Sequence, residues 1–507
     1  MTNHVVAYSK ENGGRVLVLF LLFCLAIYEF LHSGYTAFSV VCISPFLILA
    51  IYTIFKWRMA AFWALIVINY FIQMKDSPLP HGVPMSLWDE MLELILLTIA
   101  IIDARQNPHF GKCVNLMLFA LLIWCCFCTL QLLNDTCGLG IDIAAWFTSA
   151  RLLALQLVWI FLVFSIYISS PKYLLYYLRI WACLSLFSAC WTWKQKNIGF
   201  TPIESSWLYN VGARTHIING GTLIRYFSTF SDAANYGCNA AAAAVSFLIF
   251  GITSKVRWEK LFFLIVSVCV IWGMFQSGTR TGIFCMAAGF MVYVVLSKSF
   301  SIAIPFSIFF ALFMGFLVFT NIGNGNQQIR RMRSAFDKSD ASANVRDINK
   351  ASIKKYIRDA PWGIGIGYNP SNIPANNKYK LLSTIPPDSE YVYIWVHTGV
   401  IGITIFIICM LIMWSGACWV VMFKLRSPSL IGIGGGLCSA FIAIQLGAYA
   451  NQVLYQYPNG LTFFGGLAIV YILPYLEQDW IKYEQQRLAE QAEKKRIKLE
   501  KKLAERV

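Results

Sequence analysis

Residues 257–299 read "RWEKLFFLIVSVCVIWGMFQSGTRTGIFCMAAGFMVYVVLSKS". Two apolar runs, 260–275 and 282–296, flank the polar turn "QSGTRTG", and cations stand beyond their far ends at Lys255, Arg257 and Lys298. Each run approaches the length of helix that crosses a hydrocarbon layer about 30 Å thick at about 1.5 Å per residue. Lys and Arg collect on the cytoplasmic side of such hairpins, so this turn points away from the cytoplasm.

Extending the same reading both ways finds runs at 15–31, 36–55, 59–74, 86–102, 113–133, 143–169, 173–193, 233–253, 300–320, 390–423, 430–449 and 460–476. The expected fold is all-α: a polytopic membrane protein of about fourteen transmembrane helices. Composition agrees, because 58% of the 507 residues are hydrophobic, 13% are charged and the mean hydropathy is +0.60. Water cannot be the main solvent for so much apolar surface. The first run follows Lys10 and Arg15 but lacks a small-residue cleavage site, so it reads as a retained anchor.

Cations recur on every second loop, at Lys56 and Arg58, Arg105 and Lys112, Lys172, Lys255 and Arg257, Lys298, and Lys424 and Arg426. Both termini are therefore expected in the cytoplasm, with the chain in an inner membrane. The expected organisation is an N-terminal transmembrane bundle over 1–193, an outer loop over 194–232 and central transmembrane helices over 233–320. A large outer loop over 321–389, C-terminal transmembrane helices over 390–476 and a basic cytoplasmic helical tail over 477–507 complete it. Much of the net charge of +16 lies in cytoplasmic loops and the tail, where topology accounts for it without nucleic acid. The tail "DWIKYEQQRLAEQAEKKRIKLEKKLAERV" reads as a mixed-charge helix, either resting on anionic headgroups or solvated. Most of the fifteen Cys fall in apolar runs as small hydrophobes, with no disulfide framework or zinc spacing. Glu93 and Arg151 lie at lipid depth and are expected to pair with other polar groups.

A loop as long as 321–389 is uncommon unless functional or disordered. Between Asn344 and Ala360, Val345, Ile348, Ser352, Ile353, Tyr356 and Ile357 recur at helical spacing, with Arg346, Lys350, Lys354 and Arg358 on another face. This predicts an amphipathic helix that packs its apolar face on the bundle and snorkels its cations, with Arg346 a candidate for an anionic substrate. After Pro361, Gly363, Gly365 and Gly367 of "PWGIGIG" allow close approach of backbone to a ligand or a neighbouring helix, as in a tight re-entry turn. The stretch lacks the strand and helix context of a nucleotide fingerprint. The loop 194–232 carries Arg214, Arg225 and Asp232 and leads into a helix built of alanines, suited to close packing in lipid. Arg280 in "QSGTRTG" runs against the positive-inside trend, so it reads as functional beside the simpler role of interfacial anchor.

Three stretches taken in order are "RYFSTFSDAANYG" (225–237), "SGTRTG" (277–282), and Arg346 followed by "APWGIGIG" (360–367) and "DSEYVYIWVHTGVIG" (388–402). Together they resemble the pattern of the O-antigen ligase and O-antigen polymerase superfamily, over roughly a third of the chain. The resemblance implies glycosyl transfer on the outer face of the membrane from a glycan linked through diphosphate to undecaprenol. Membrane lipid, a chain-length regulator and a flippase are the partners it implies. Arg225 matches the arginine before the helix, Arg280 that of the Ser-Arg turn and Arg346 that opening the loop helix. Asp388 stands where ligases carry a histidine and His397 does not match, which favours a polymerase over a ligase that moves glycan to lipid A core or protein.

The departing diphosphate gains charge, and arginine forks can hold it. Arg225, Arg280, Arg346 and Arg214 are therefore the expected diphosphate ligands, and Arg280, Arg346, Asp388 and Glu390 the expected catalytic residues. Asp388 or Glu390 would take the proton of the acceptor hydroxyl. Helix N-terminal capping is the plainer role for both. The expectation is a metal-independent enzyme without a cofactor. A flippase for lipid-linked sugars is the alternative from another class, but no internal repeat is visible.

Overall fold

The computed structural model describes residues 55–77, 86–104, 110–218, 223–336 and 341–504, with scattered positions before residue 54. Most of the expected run 36–55, parts of 15–31, and Lys10, Arg15 and Arg105 lie outside the described residues, and what is described of 15–31 is helical. The chain divides into two compact units, 1–62 and 63–507. The described residues of the first are mostly helical, and the second holds the helical bundle and the long loop.

Among the described residues, eight helices are long and apolar enough to cross a membrane: Leu116–Leu133, Ile143–Tyr167, Pro171–Asn197, Ala233–Thr253, Arg257–Gln276, Glu390–Lys424, Pro428–Ala450 and Gly460–Ile497. Three shorter apolar helices, Arg58–Phe71, Thr281–Leu296 and Phe310–Phe319, fall on further expected runs, and Ser86–Asp103 on another. The only strands among the described residues are Ile217–Ile218 and Leu223–Ile224, paired antiparallel. Side chains such as Trp258, Val268 and Phe300 remain mostly exposed, which suits a lipid surround.

The centre is the alanine helix Ala233–Thr253, packed against Arg257–Gln276, Thr281–Leu296 and Pro428–Ala450. Ala240 to Ala244 are all buried, since small side chains allow the close backbone approach that drives packing in lipid. Ser246 donates to the Gly436 carbonyl at 2.9 Å across one such contact. At one end of the bundle, Glu259 pairs with Arg179 at 2.6 Å and Arg487 at 2.7 Å, and Lys255 pairs with Glu484 at 2.8 Å. The start of the tail is therefore clamped to protein, while most of the described residues after Arg487 are exposed. Arg151 pairs with Glu90 at 2.8 Å, whereas both carboxylate oxygens of buried Glu93 lack a hydrogen-bond partner among the described residues. The pairing expectation holds for Arg151 alone, because the helix sets Glu90 opposite it.

At the other end the long loop folds back on the bundle. Its helix Ala341–Ile357 buries Ile353 and Ile357 with Ile364, Leu382, Val392 and Val396, but leaves Val345 53% and Ile348 63% exposed. The inward stripe is Arg346, Asn349, Lys350, Ile353 and Ile357, so the two faces read from sequence are corrected in part: Arg346 and Lys350 share the face of Ile353 and Ile357, whereas Lys354 and Arg358 stay exposed as expected. Beyond Pro361, the glycine stretch meets the helix Glu390–Trp419 where that helix breaks at Gly399, with φ 68° and ψ −170°. Ile364 and Gly365 donate to the carbonyls of Val396 and His397, each at 3.0 Å, and Ile401 donates to that of Pro361 at 3.2 Å. A Cβ on Gly363 would lie 2.4 Å from backbone atoms of that helix, so the glycines serve close approach to a helix.

Candidate active site

Four polar segments meet at the loop end of the bundle. The turn after Arg257–Gln276 rests on the alanine helix, with Thr279 Oγ1 donating to the Ala233 carbonyl at 2.6 Å. Arg225 wraps this turn, donating to the Ser277 carbonyl at 3.2 Å, to Thr279 Oγ1 at 3.1 Å and to the Thr215 carbonyl at 2.9 Å. Arg331, from the short helix Gln327–Arg333, donates to the Gly278 carbonyl at 2.6 Å from the opposite side. Gly278 has φ +59°, and a Cβ there would lie 3.2 Å from Arg225 Cγ and from Arg331 Cδ, so glycine is what admits both side chains. Arg280 leaves the same turn and donates to Ser334 Oγ at 3.1 Å.

The loop helix adds the fourth arginine. Arg346 donates to Asn451 Oδ1 at 3.4 Å, and Asn451 donates to Thr281 Oγ1 at 3.3 Å, which ties this arginine to the Arg280 turn. One helical turn on, Asn349 donates to Asp388 Oδ2 at 2.6 Å. Asp388, which lies outside this helix, is thereby held against it at Asn349, one turn along from Arg346. Ser389 is the N-cap of the following helix, accepting from the Val392 N–H at 3.2 Å. That frees Asp388 and Glu390 from the capping role. Glu390 is buried and accepts from the Leu454 N–H at 3.2 Å, while Gln452 donates to the Pro387 carbonyl at 2.7 Å.

Burial lowers the Arg225 pKa to about 10; Asp232 opposes the shift, and Arg280 and Arg346 add to it. The guanidinium remains charged at neutral pH. Asp232 caps the alanine helix through the N–H groups of Ala234 and Asn235. His216 accepts from the Ala233 N–H at Nε2, and burial, with Arg225 next in weight, pushes its imidazole down to about 4. Lys75 donates to the Ser231 carbonyl at 2.9 Å and lies 3.9 Å over the Trp207 ring; burial lowers it to about 8 against the pull of Asp232.

Of the expected residues, Arg225, Arg280, Arg346, Asp388 and Glu390 are thus linked to one another through the turn, the loop helix and residues 451–454. Arg214 is exposed on the preceding turn and makes no hydrogen bond or ion pair among the described residues. Sequence reasoning missed Arg331, Asn349 and the connector 451–459, whose polar residues Asn451, Gln452, Gln456 and Asn459 between two apolar runs were the available signal. A crowd of guanidinium groups suits a multiply charged anion such as a diphosphate. Asp388 and Glu390 engage different partners and do not converge on one point. No group of three or more His, Cys, Asp or Glu among the described residues is arranged to hold a metal ion.

Residues 265–407 match the family model of the O-antigen ligase. The matched region contains Arg280, Arg331, Arg346, Asp388 and Glu390, while Arg225 and the 451–459 connector lie outside it. The match accords with the resemblance to the O-antigen ligase and polymerase superfamily. No curated protein matches the chain.

Proposed function

We propose that this chain is a polysaccharide polymerase of the bacterial inner membrane, acting on its outer face. It would move an undecaprenyl-diphosphate-linked glycan onto a lipid-linked repeat unit. The observation that carries the reading is the set of arginines, 225, 280 and 331, around one glycine turn, joined through Asn451 to Arg346 and thence to Asp388. The donor diphosphate binds these guanidinium groups while its polyprenyl tail stays in lipid. The acceptor hydroxyl attacks the anomeric carbon and a new C–O bond forms. The bond from that carbon to the diphosphate oxygen breaks, its electron pair leaving with undecaprenyl diphosphate. The hydroxyl proton passes to Glu390 or Asp388. Fixed cations aimed at the leaving group stabilise the charge it acquires, and need no rearrangement as the reaction proceeds.

A second reading, transfer of finished glycan to lipid A core or protein, is favoured by the ligase description of the matching family model. Asp388 in place of a histidine favours the first. Deleting the gene and examining surface glycan separates the two: a polymerase leaves single repeat units, whereas a ligase leaves long unattached chains. Unchanged glycan would remove both readings.

A further inference from the structure

Outside the arginine cluster, a cavity of about 320 Å³ lies between residues 369–387 of the long loop and the helix Glu390–Trp419. Asn369 and Ser371 form its exposed rim, and Val396 and His397 its buried floor, with Ser383 and Tyr393 between them. This is enough room for a small organic ligand.

The polar groups that line the cavity have capacity to spare. Asn369 uses its Oδ1 to accept from the Ser371 N–H at 2.9 Å, which leaves the side-chain amide as a donor. Ser383 Oγ donates to the Lys380 carbonyl at 2.8 Å and keeps its acceptor lone pairs. His397 Nδ1 lies 3.0 Å from the Gly365 carbonyl, which can only accept, so Nδ1 carries the hydrogen and Nε2 is an acceptor. The Tyr393 ring, 4.5 Å from that of His397, adds an aromatic face. Its hydroxyl makes no hydrogen bond among the described residues. Mixed donors and acceptors beside an aromatic face complement a pyranose, which has hydroxyl edges and an apolar C–H face. Among the described residues no Lys or Arg lines the cavity, so these offer a phosphate no counter-charge.

Position supplies the rest. Glu390, Tyr393 and His397 are spaced three and four apart and share one face of their helix. Pro386 and Pro387 of the cavity wall run directly into Asp388, whose carboxylate meets the loop helix one turn from Arg346. The carboxylates therefore stand between the cavity and the arginines. We propose that the cavity binds the terminal sugars of the acceptor glycan and presents their hydroxyl to the carboxylates, while the arginines hold the donor diphosphate. This assignment rests on the glycosyl transfer reading.

The test uses full-length protein in nanodiscs. The probe is the lipid-free oligosaccharide repeat unit, released by mild acid from the lipid-linked units that the deletion strain accumulates. Saturation-transfer NMR reads its binding, and polymerisation assays read KM and kcat for the lipid-linked acceptor. Wild type is expected to bind the probe, and Ser383→Trp, which fills the cavity, to lose binding and raise the acceptor KM at least tenfold with kcat within threefold. Arg280→Ala is expected to bind the probe normally and fail to turn over. Wild-type binding in Ser383→Trp, or none in wild type at millimolar probe, overturns the assignment. If Ser383→Trp fails to fold, Asn369→Ala at the exposed rim decides: weakened binding supports the assignment and undiminished binding overturns it. Normal turnover by Arg280→Ala would instead count against the arginine-centred reaction, leaving the binding result to be read separately.

Discussion

Arg346→Ala separates catalysis from folding more cleanly than any other change at the site. Among the described residues its side chain makes one hydrogen bond, to Asn451 at 3.4 Å, from a partly exposed position. A contact that long contributes no more than about 1 kcal/mol. In a domain of this size, the melting temperature should therefore fall by about 2 °C or less. If the guanidinium faces charge developing on the diphosphate, its loss should cost what a preorganised donor usually supplies, about 3 to 4 kcal/mol or roughly 100- to 1000-fold in kcat. Arg346→Lys keeps the charge without the fork and should recover only part, leaving the rate roughly tenfold below wild type. The assay is chain formation from purified lipid-linked repeat units in nanodiscs, with melting followed in the same preparations. An Arg346→Ala protein within threefold of wild-type rate would refute the assignment. A loss of activity accompanied by a melting decrease of more than about 5 °C would show instead that the residue holds the loop helix in place.

Gly278→Ala should lower activity at least tenfold and reduce stability, since its Cβ meets Arg225 and Arg331 at 3.2 Å and φ is +59°; wild-type behaviour would show that the turn is not clamped by both arginines. Asp388→Asn and Glu390→Gln retain an oxygen for Asn349 and for the Leu454 N–H, so both should fold. A rate loss of about 100-fold or more identifies the base, and near-normal rates in both variants would leave arginine electrostatics as the whole of catalysis. His216 is held neutral with its folded value near 4 against an ordinary 6.5, so its contribution is complete above 6.5 and is lost as pH falls towards 4, by about 3 kcal/mol at most. Melting of the wild type should therefore decline over that window relative to His216→Gln, and parallel curves would show that His216 plays no part. EDTA should leave turnover of purified protein unchanged, and loss restored by Mg²⁺ or Mn²⁺ would require ligands for a cation at the site.

The helices were readable because lipid imposes one rule, a long apolar run, and most described runs from Leu116 onward satisfy it, Thr281–Leu296 and Phe310–Phe319 being the shorter ones. Arg280 stood out for a related reason: it is a cation on a short turn opposite the loops that carry most of the positive charge. The loop helix was legible as a helix but not in its orientation. Periodicity assigns Val345 and Ile348 to the buried side because they are apolar, yet the first two turns of Ala341–Ile357 face a polar site, and there Arg346, Asn349 and Lys350 take the inward positions. Reading a face from its apolar spacing assumes that the partner surface is oily along its whole length, and against this polar end of the bundle it is not.

Arg331 shows why the remaining part of the site was hidden. In "NQQIRRMRSAF" it stands beside Arg330 and two residues before Arg333, three cations of the same chemistry in a segment with no strong pattern. What separates them is geometry that only the fold supplies. Arg333 reaches back to the Ile322 carbonyl at 2.7 Å and stacks on Phe316, holding its own loop, while Arg331 crosses to the Gly278 carbonyl. The distinguishing signal in the sequence lies more than fifty positions away, in the glycine whose missing side chain leaves room for two arginines. The same holds for Asn451, which follows an apolar run as an ordinary polar residue and becomes the link between Arg346 and Thr281 only when the last two long helices return it to the turn. A charged site built at the meeting of four loops is thus specified by small and neutral residues as much as by its cations. Replacing Asn451 or Gly278 should therefore disturb the site as deeply as replacing an arginine.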